Sequence, residues 1–415
     1  MFATALMIAA AALPSVLTLD DAVRIFRERG FDLLLADAQI ASARADEQMA
    51  AALPNPQLSF SAGRALSYDA TCPGCSPNAY GVGLTDPSAL SDLLTGKRGL
   101  RVDVARAALA AARRSRDDAL RTLLVQVKQA VLDASLQQAQ RDFAQEVADS
   151  TEHTRALIEK RLQAGSISEA ELARAEVAAL EAQQALRVAN QSFLAARLQV
   201  AFLLGVREML PEFQVDPGLL DRPLPSPAEQ PEQLVQQALK ARPDLLALDQ
   251  QIERAQTAIS LARRQRLPDL AFSAQYQQQG TGNNALQPGT LTVGVQLPIP
   301  VLYQQQGEIA KAEADLRSQT VQRDKARAQV LLDVQATHAA VDANRELVDR
   351  MRARILDRAK RARDLVQVQY EKGATSLLDL LDAERTWVQT HAEYLRDLHD
   401  FWLATFQFEA AMGIT

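Results

Sequence analysis

The sequence predicts a mainly α-helical protein with a small β part, built twice over. Three observations carry this. First, Gly99, Gly165 and Gly205 recur as Gly307, Gly373 and Gly413, each displaced by 208 positions. Second, the runs 100–164, 166–204, 308–372 and 374–412 contain neither Gly nor Pro, the two residues that interrupt helices. Third, four short segments alternate apolar with small or polar residues, the period of a β-strand. A chain that resembles itself at a fixed offset is read as a repeat before anything else.

The duplication extends beyond the glycines. Asp32–Ile40 matches Asp244–Ile252, and Pro56–Ala62 matches Pro268–Ala274, both at an offset of 212. Gly81–Leu84 matches Gly294–Leu297 at 213, and Leu124–Val127 matches Leu331–Val334 at 207. The slips in offset are assigned to Gly- and Pro-rich connections, where insertions are tolerated. The domain plan is a signal-like segment (1–16), a first repeat (17–205), an extended Pro-rich linker (206–231) and a second repeat (232–413).

Within each repeat a short helix (19–29; 232–241) leads into a medium one (32–53; 244–266). A strand pair follows, then a very long helix, a Gly turn and a second long helix. Residues 100–164 alone would extend roughly 100 Å as a helix. Their apolar positions, from Val104, Ala108 and Ala111 to Leu124, Val127 and Val131, recur at three- and four-residue spacing. Small Ala residues on that stripe allow close, coiled-coil-like packing. Folding back at Gly165 and Gly373 gives two hairpins, and together a tube-like helical bundle with a β end.

The strands are placed at Leu58–Ala62, Tyr80–Leu84, Leu270–Tyr276 and Leu291–Leu297. Apolar residues on one face and small or polar ones on the other are the mark of a membrane β-barrel strand. Four strands cannot close a barrel, and open edges are not tolerated in lipid. Strands that enter a membrane here would therefore have to share one barrel among several chains. The alternative is a pair of soluble hairpins capping a helical stalk.

Composition narrows the function classes. The chain has 415 residues, 5% aromatics and a net charge of −6, with a pI near 5.5, which argues against nucleic acid as a partner. The apolar run Ala3–Leu13 has the length of a signal-peptide core without a basic n-region; a short apolar N-terminal arm is the other reading. No Cys follows it to take a lipid. No segment reaches about 18 consecutive apolar residues, so no transmembrane helix is expected. Cys72 and Cys75 form a lone CxxC around Pro-Gly. It reads as a local disulfide in an exported protein, with a redox pair or half a zinc site as the other readings.

No phosphate loop, nucleophile elbow or metal-ligand cluster is seen, and His153, His338, His391 and His399 are scattered. The chain is not expected to be an enzyme, and no cofactor or resident metal is expected.

At this point the chain resembles the TolC family of outer-membrane efflux channels, from about Leu17 to Gly413. The resemblance rests on the duplicated plan, on Arg242-Pro-Asp-Leu245 and on Leu53-Pro-Asn-Pro-Gln-Leu58. It also rests on Leu297-Pro-Ile-Pro300 followed by Gln306-Gly-Glu-Ile-Ala-Lys-Ala-Glu-Ala314. The last two stretches are most similar to the heavy-metal branch typified by CzcC and CusC. The resemblance implies a homotrimer with a shared twelve-stranded β-barrel, four strands per chain, in the outer membrane of a Gram-negative bacterium. It further implies a large periplasmic α-barrel, a periplasmic adaptor protein and an inner-membrane pump of the RND type. The expected cargo is heavy-metal cations. Multidrug export or type I secretion is the alternative within the family, and a periplasmic coiled-coil scaffold the alternative outside it.

The resemblance also implies where the gate lies. The second tip reads Tyr370-Glu-Lys-Gly373-Ala-Thr-Ser-Leu-Leu-Asp379-Leu-Leu-Asp382, and Asp379 and Asp382 match the family's gate aspartates. An i,i+3 pair shares one helix face, and threefold symmetry would gather six carboxylates in a ring favouring cations. In the first tip Glu171 is the counterpart of Asp379, and Arg174 that of Asp382. Thr375 stands where the family can place a latch Arg, leaving Tyr370 or Arg174 to supply the closed-state link. Solvated helix charges are the alternative for Asp379, Asp382 and Glu171. The adaptor is expected at the turns, at Gly165, Ser166 and Ser168 and at Gly373, Thr375 and Ser376.

Overall fold

The computed structural model describes residues 13–64, 66, 71, 77–209, 212–225, 230–278 and 289–414. Cys72 and Cys75, and most of the signal-like segment, lie outside the described residues.

Two features apart, the halves of the chain share one order of elements: α3 has no counterpart among the described residues of the second half, and a π-helical turn interrupts the long helix there. The first comprises β1 (Val16–Leu17), α1 (Leu19–Arg29), α2 (Phe31–Ala51), β2 (Gln57–Arg64), β3 (Asn78–Asp86), α3 (Ala89–Thr95), α4 (Lys97–Gln163) and α5 (Glu169–Leu203). The second comprises β4 (Gln214–Val215), α6 (Pro231–Ala241), α7 (Pro243–Arg264), β5 (Ala271–Gln278), β6 (Thr290–Gln296) and α8 (Gln306–Arg350). A π-helical turn (Met351–Leu356), α9 (Asp357–Glu371) and α10 (Leu377–Ala411) complete it. Helix starts follow ordinary capping chemistry: Thr18 Oγ1 accepts the Asp21 N–H at 3.1 Å ahead of α1, and Pro231 opens α6.

By contact density the chain divides into two units. One holds residues 1–37, 116–243 and 327–415, the other 38–115 and 244–326. Both repeats contribute to both units.

The first unit carries the main core. Phe26 of α1, Leu132 of α4, Val200 of α5 and Phe401 of α10 are fully buried together, each side chain contributing about 1.5–3 kcal/mol of burial. Segment 206–231, expected as an extended linker, is partly built into this core. β1 and β4 pair in parallel, and Phe213, Val215, Leu219 and Leu220 are buried. The Gln138 amide exchanges two 2.9 Å hydrogen bonds with the Val215 backbone, and Trp402 Nε1 donates to Leu220 O. This Pro-rich segment is held over residues 212–225 because α4 and α10 supply partners for its backbone.

The duplication persists in the packing. Gly205 and Gly413 both take positive φ, 71° and 81°, at helix C-termini. A Cβ on Gly205 would lie 2.3 Å from Arg29 O at the end of α1, and one on Gly413 would lie 3.2 Å from the Ala241–Arg242 peptide at the end of α6. In both halves a left-handed turn and a close backbone approach require glycine. Gly99 and Gly307, read as helix ends, lie just inside the first turns of α4 and α8.

The π-helical turn also has a source in the sequence. This slip falls inside a helix and not at a Gly- or Pro-rich connection as expected: the repeat offset is 207 at Leu331–Val334 and 208 at Gly373, so the second half gains a residue in that interval. The wider turn over Met351–Leu356 takes up an inserted residue without ending the helix.

The second unit contains a four-stranded antiparallel sheet in the order β2-β3-β5-β6. Its register sets Phe60 opposite Val82, Val82 opposite Tyr276, and Tyr276 opposite Leu291 on one face. Ser61, Gly81, Gln277 and Thr290 line the other. The apolar face is open, with Phe60 78% and Val293 74% exposed. Among the described residues, β2 and β6 present unpaired edges. Helix α3 was not foreseen in the sequence. No helix of the described residues is long and apolar enough to cross a membrane, which says nothing of strands.

Candidate functional site at the hairpin tips

Both hairpins turn in the same way, and one cluster joins them. Gly165 and Gly373 have φ of 73° and 75°. Ser166 N–H donates back to Arg161 O at 3.0 Å, and Ala374 N–H to Gln369 O at 2.8 Å, the wide C-terminal closure that a left-handed glycine permits. Beneath the turns, Ile158 and Ala175 of the first hairpin pack with Tyr370, Leu377 and Leu380 of the second. Ile167, Leu172, Val366 and Leu381 close the cluster's edges.

Arg161 links the hairpins by polar contacts that the sequence reading missed. Its guanidinium donates to Glu371 O at 2.7 Å and to Tyr370 O at 3.3 Å, and lies 5.2 Å from the Tyr370 ring centroid. These carbonyls end α9, where a helix leaves acceptors unpaired and a cation is favoured. A basic residue in the last turn of α4 was the available signal, but its acceptors are 209 and 210 positions away in sequence.

Tyr370 is 6% exposed and its hydroxyl has no hydrogen-bond partner among the described residues. Burial pushes the phenol's pKa up, and the Arg161 guanidinium works against that. Arg174, the other residue expected to form a latch, is exposed on the second turn of α5. Within one chain, then, Tyr370 meets Arg161.

The two aspartates fall in different environments. Asp379 closes a capping box at the start of α10. Its carboxylate accepts from Ser376 Oγ (2.7 Å), Thr375 Oγ1 (2.8 Å) and Ser376 N–H (3.1 Å), while Ser376 Oγ accepts the Asp379 N–H at 3.2 Å. Donation from Ser376 first, then Thr375, holds the Asp379 carboxyl below the usual carboxylate range. Asp382 is exposed one turn on. The first tip has the same spelling, Ser168 followed by Glu171, but Ser168 makes no side-chain cap. Glu171 is half-buried near Tyr370, where its charge contributes to raising the phenol's pKa. Gly165, Ser166, Ser168, Gly373 and Ser376 are exposed, and Thr375 half-buried. No group of three or more His, Cys, Asp or Glu among the described residues is arranged to hold a metal ion.

Two helical hairpins meeting at acidic tips, joined through the chain to an open four-stranded sheet with one apolar face, are the architecture of an outer-membrane export duct. The model of the outer membrane efflux protein family matches residues 23–206 and 234–413, and the chain belongs to that family. Membership places it at the outer membrane, as an efflux component.

Among its relatives is the cobalt-zinc-cadmium resistance protein CzcC of Cupriavidus metallidurans, 27% identical over 96% of this chain and 90% of that protein. The pyoverdine export outer membrane protein OpmQ of Pseudomonas putida is 26% identical over 91% and 82%. Among solved structures, CusC superposes with a TM-score of 0.77 at 19% identity, covering 99% of this chain and 96% of that one.

Proposed function

We propose that three copies of this chain form the passive outer-membrane duct of a tripartite efflux system. In this reading a periplasmic adaptor docks at the exposed tips around Gly165 and Gly373, and an RND-type pump drives the cargo. The observation that carries it is the sheet, with four strands, one apolar face and two unpaired edges. Such a sheet is stable in lipid only when its edges are closed, and three copies would supply the twelve strands the family reading calls for. The same three copies would bring six tip helices with their carboxylates to one axis.

For cargo we favour heavy-metal cations. The likeness to CzcC over nearly the whole chain supports this, as do the exposed carboxylates Asp379 and Asp382. The likeness to OpmQ keeps export of a small organic molecule as the second reading. Planar-bilayer recording from the purified protein tests the duct, and absence of conductance would refute it. Deleting the gene and titrating zinc, cobalt, copper and silver against dyes and detergents tests the cargo. Unchanged metal tolerance with increased dye sensitivity would replace the first reading by the second.

A further inference from the structure

Helix α3 is built inside out. It buries its polar residues, Ser91 and Asp92, and exposes Leu90 (43%), Leu93 (53%) and Leu94 (69%). The burial is specific: Asp92 accepts two hydrogen bonds from Arg101, at 2.7 and 3.1 Å. That ion pair fixes the helix's rotation, so the leucines face outward by construction. Three clustered leucines on a two-turn helix mark a surface that something apolar covers.

The position of α3 identifies what covers it. Asp86, the last residue of β3, stands on the same strand face as Tyr80, Val82 and Leu84, the apolar face of the sheet. Its carboxylate receives the helix start, accepting the Ser88, Ala89 and Leu90 N–H groups at 3.3, 2.8 and 2.9 Å. The helix is therefore tethered to the apolar face at the end where β3 leaves the sheet. β3 is an inner strand, between β2 and β5, so the tether lies away from the edges where another copy would pair. β6 runs parallel to β3 and leaves the sheet at the same end. It is followed by a second exposed apolar stretch with Ile299 75%, Val301 74% and Leu302 99% exposed.

We propose that α3 is an interfacial anchor. Its leucines enter the phospholipid leaflet at the helix-side end of the sheet, prolonging the apolar band of the strands along the membrane surface. An apolar face lying flat at the headgroup boundary is how short amphipathic helices hold to lipid. The inference rests on the membrane placement proposed for the sheet.

The test is depth-resolved fluorescence quenching on the full-length protein in phosphatidylethanolamine/phosphatidylglycerol nanodiscs. Single cysteines are placed on a Cys72→Ser, Cys75→Ser background and labelled with an environment-sensitive dye. Leu93→Cys reads α3, Val293→Cys reads the sheet, and Asn190→Cys on α5 serves as the exposed control. Leu93→Cys is expected to lose most of its fluorescence to lipids spin-labelled near the headgroup, and Val293→Cys to lipids labelled deep in the chain. Asn190→Cys should be unaffected. A quenched Val293→Cys with an unquenched Leu93→Cys, above all one that crosslinks to a second copy, overturns the anchor and leaves the sheet's placement standing. Failure of both to quench overturns the two together.

Discussion

Arg161 donates to the carbonyl oxygens of Tyr370 and Glu371, so the end of α4 caps the end of α9 and the tips of the two repeats are held as one piece. Replacing Arg161 with Ala removes two charge-assisted bonds and leaves those carbonyls open, a local loss of about 1–3 kcal/mol. Amide exchange over 366–372 is expected to accelerate, with the core around Phe401 unchanged. Arg161→Lys should recover only part of the protection, because an ammonium lacks the planar fork. Unaltered exchange in Arg161→Ala would show that the apolar cluster alone holds the tips.

Tyr370→Phe is expected to leave melting unchanged or slightly raised. The buried hydroxyl has no hydrogen-bond partner among the described residues, and removing an unsatisfied polar group does not destabilise. Any change in channel opening caused by this variant would then report a bond to another subunit. A clear loss of stability in the isolated chain would mean that the hydroxyl is bonded there after all.

Gly165→Ala and Gly205→Ala should differ, although both glycines have φ near 70°. A methyl group on Gly165 meets nothing within 4 Å, so the cost is that of the left-handed backbone, about 1–2 kcal/mol. On Gly205 the same methyl collides with Arg29 O, and the loss should exceed that range. Thermal denaturation of the pair decides it, and equal shifts would refute the close approach.

His399 should make stability pH-dependent. Burial opposes its charged form, but Asp133 at 2.6 Å and Asp400 at 3.0 Å outweigh this, and its pKa is raised. A raised folded pKa means the contribution is complete below the unfolded value near 6.5 and is lost as pH rises through the folded value. His391 has the opposite shift, lowered chiefly by burial, so the comparison must be wild type against His399→Gln. The difference in melting temperature between them should shrink from pH 6 to alkaline pH. A difference constant with pH would exclude a protonated His399.

The fold was largely legible because glycine spacing and helix-free-of-breaker runs are local signals that a duplication doubles. The helices 19–29 and 231–241, the strand alternation and the Gly165 and Gly373 turns all follow from such signals. What escaped were features made by distant partners. The linker's burial depends on Gln138 and Trp402, Arg161 on carbonyls in the other repeat, and α3 on an ion pair that inverts an otherwise ambiguous Leu-rich stretch. The site was legible only in part: Asp379 and Asp382 share a spelling, yet one is a cap and the other is free in solvent.

That difference separates the structural from the conductive role of the tip carboxylates. Asp379→Ala removes the acceptor of three hydrogen bonds, so α10 should fray at Ser376–Leu378 and amide exchange there should rise. Because its pKa is lowered, the cap is complete above the unfolded value near 3.9 and fails as pH falls through the folded value. Asp382→Ala touches no such network and should leave exchange unchanged. If both carboxylates line the conducting axis, each variant should weaken block by multivalent cations, since a ring's attraction depends on its summed charge. Weaker block in Asp382→Ala with an intact tip would assign that residue to the pore. Weaker block in Asp379→Ala alone, together with fraying, would instead mean that the cap shapes the entrance and that Asp382 is a solvated surface charge.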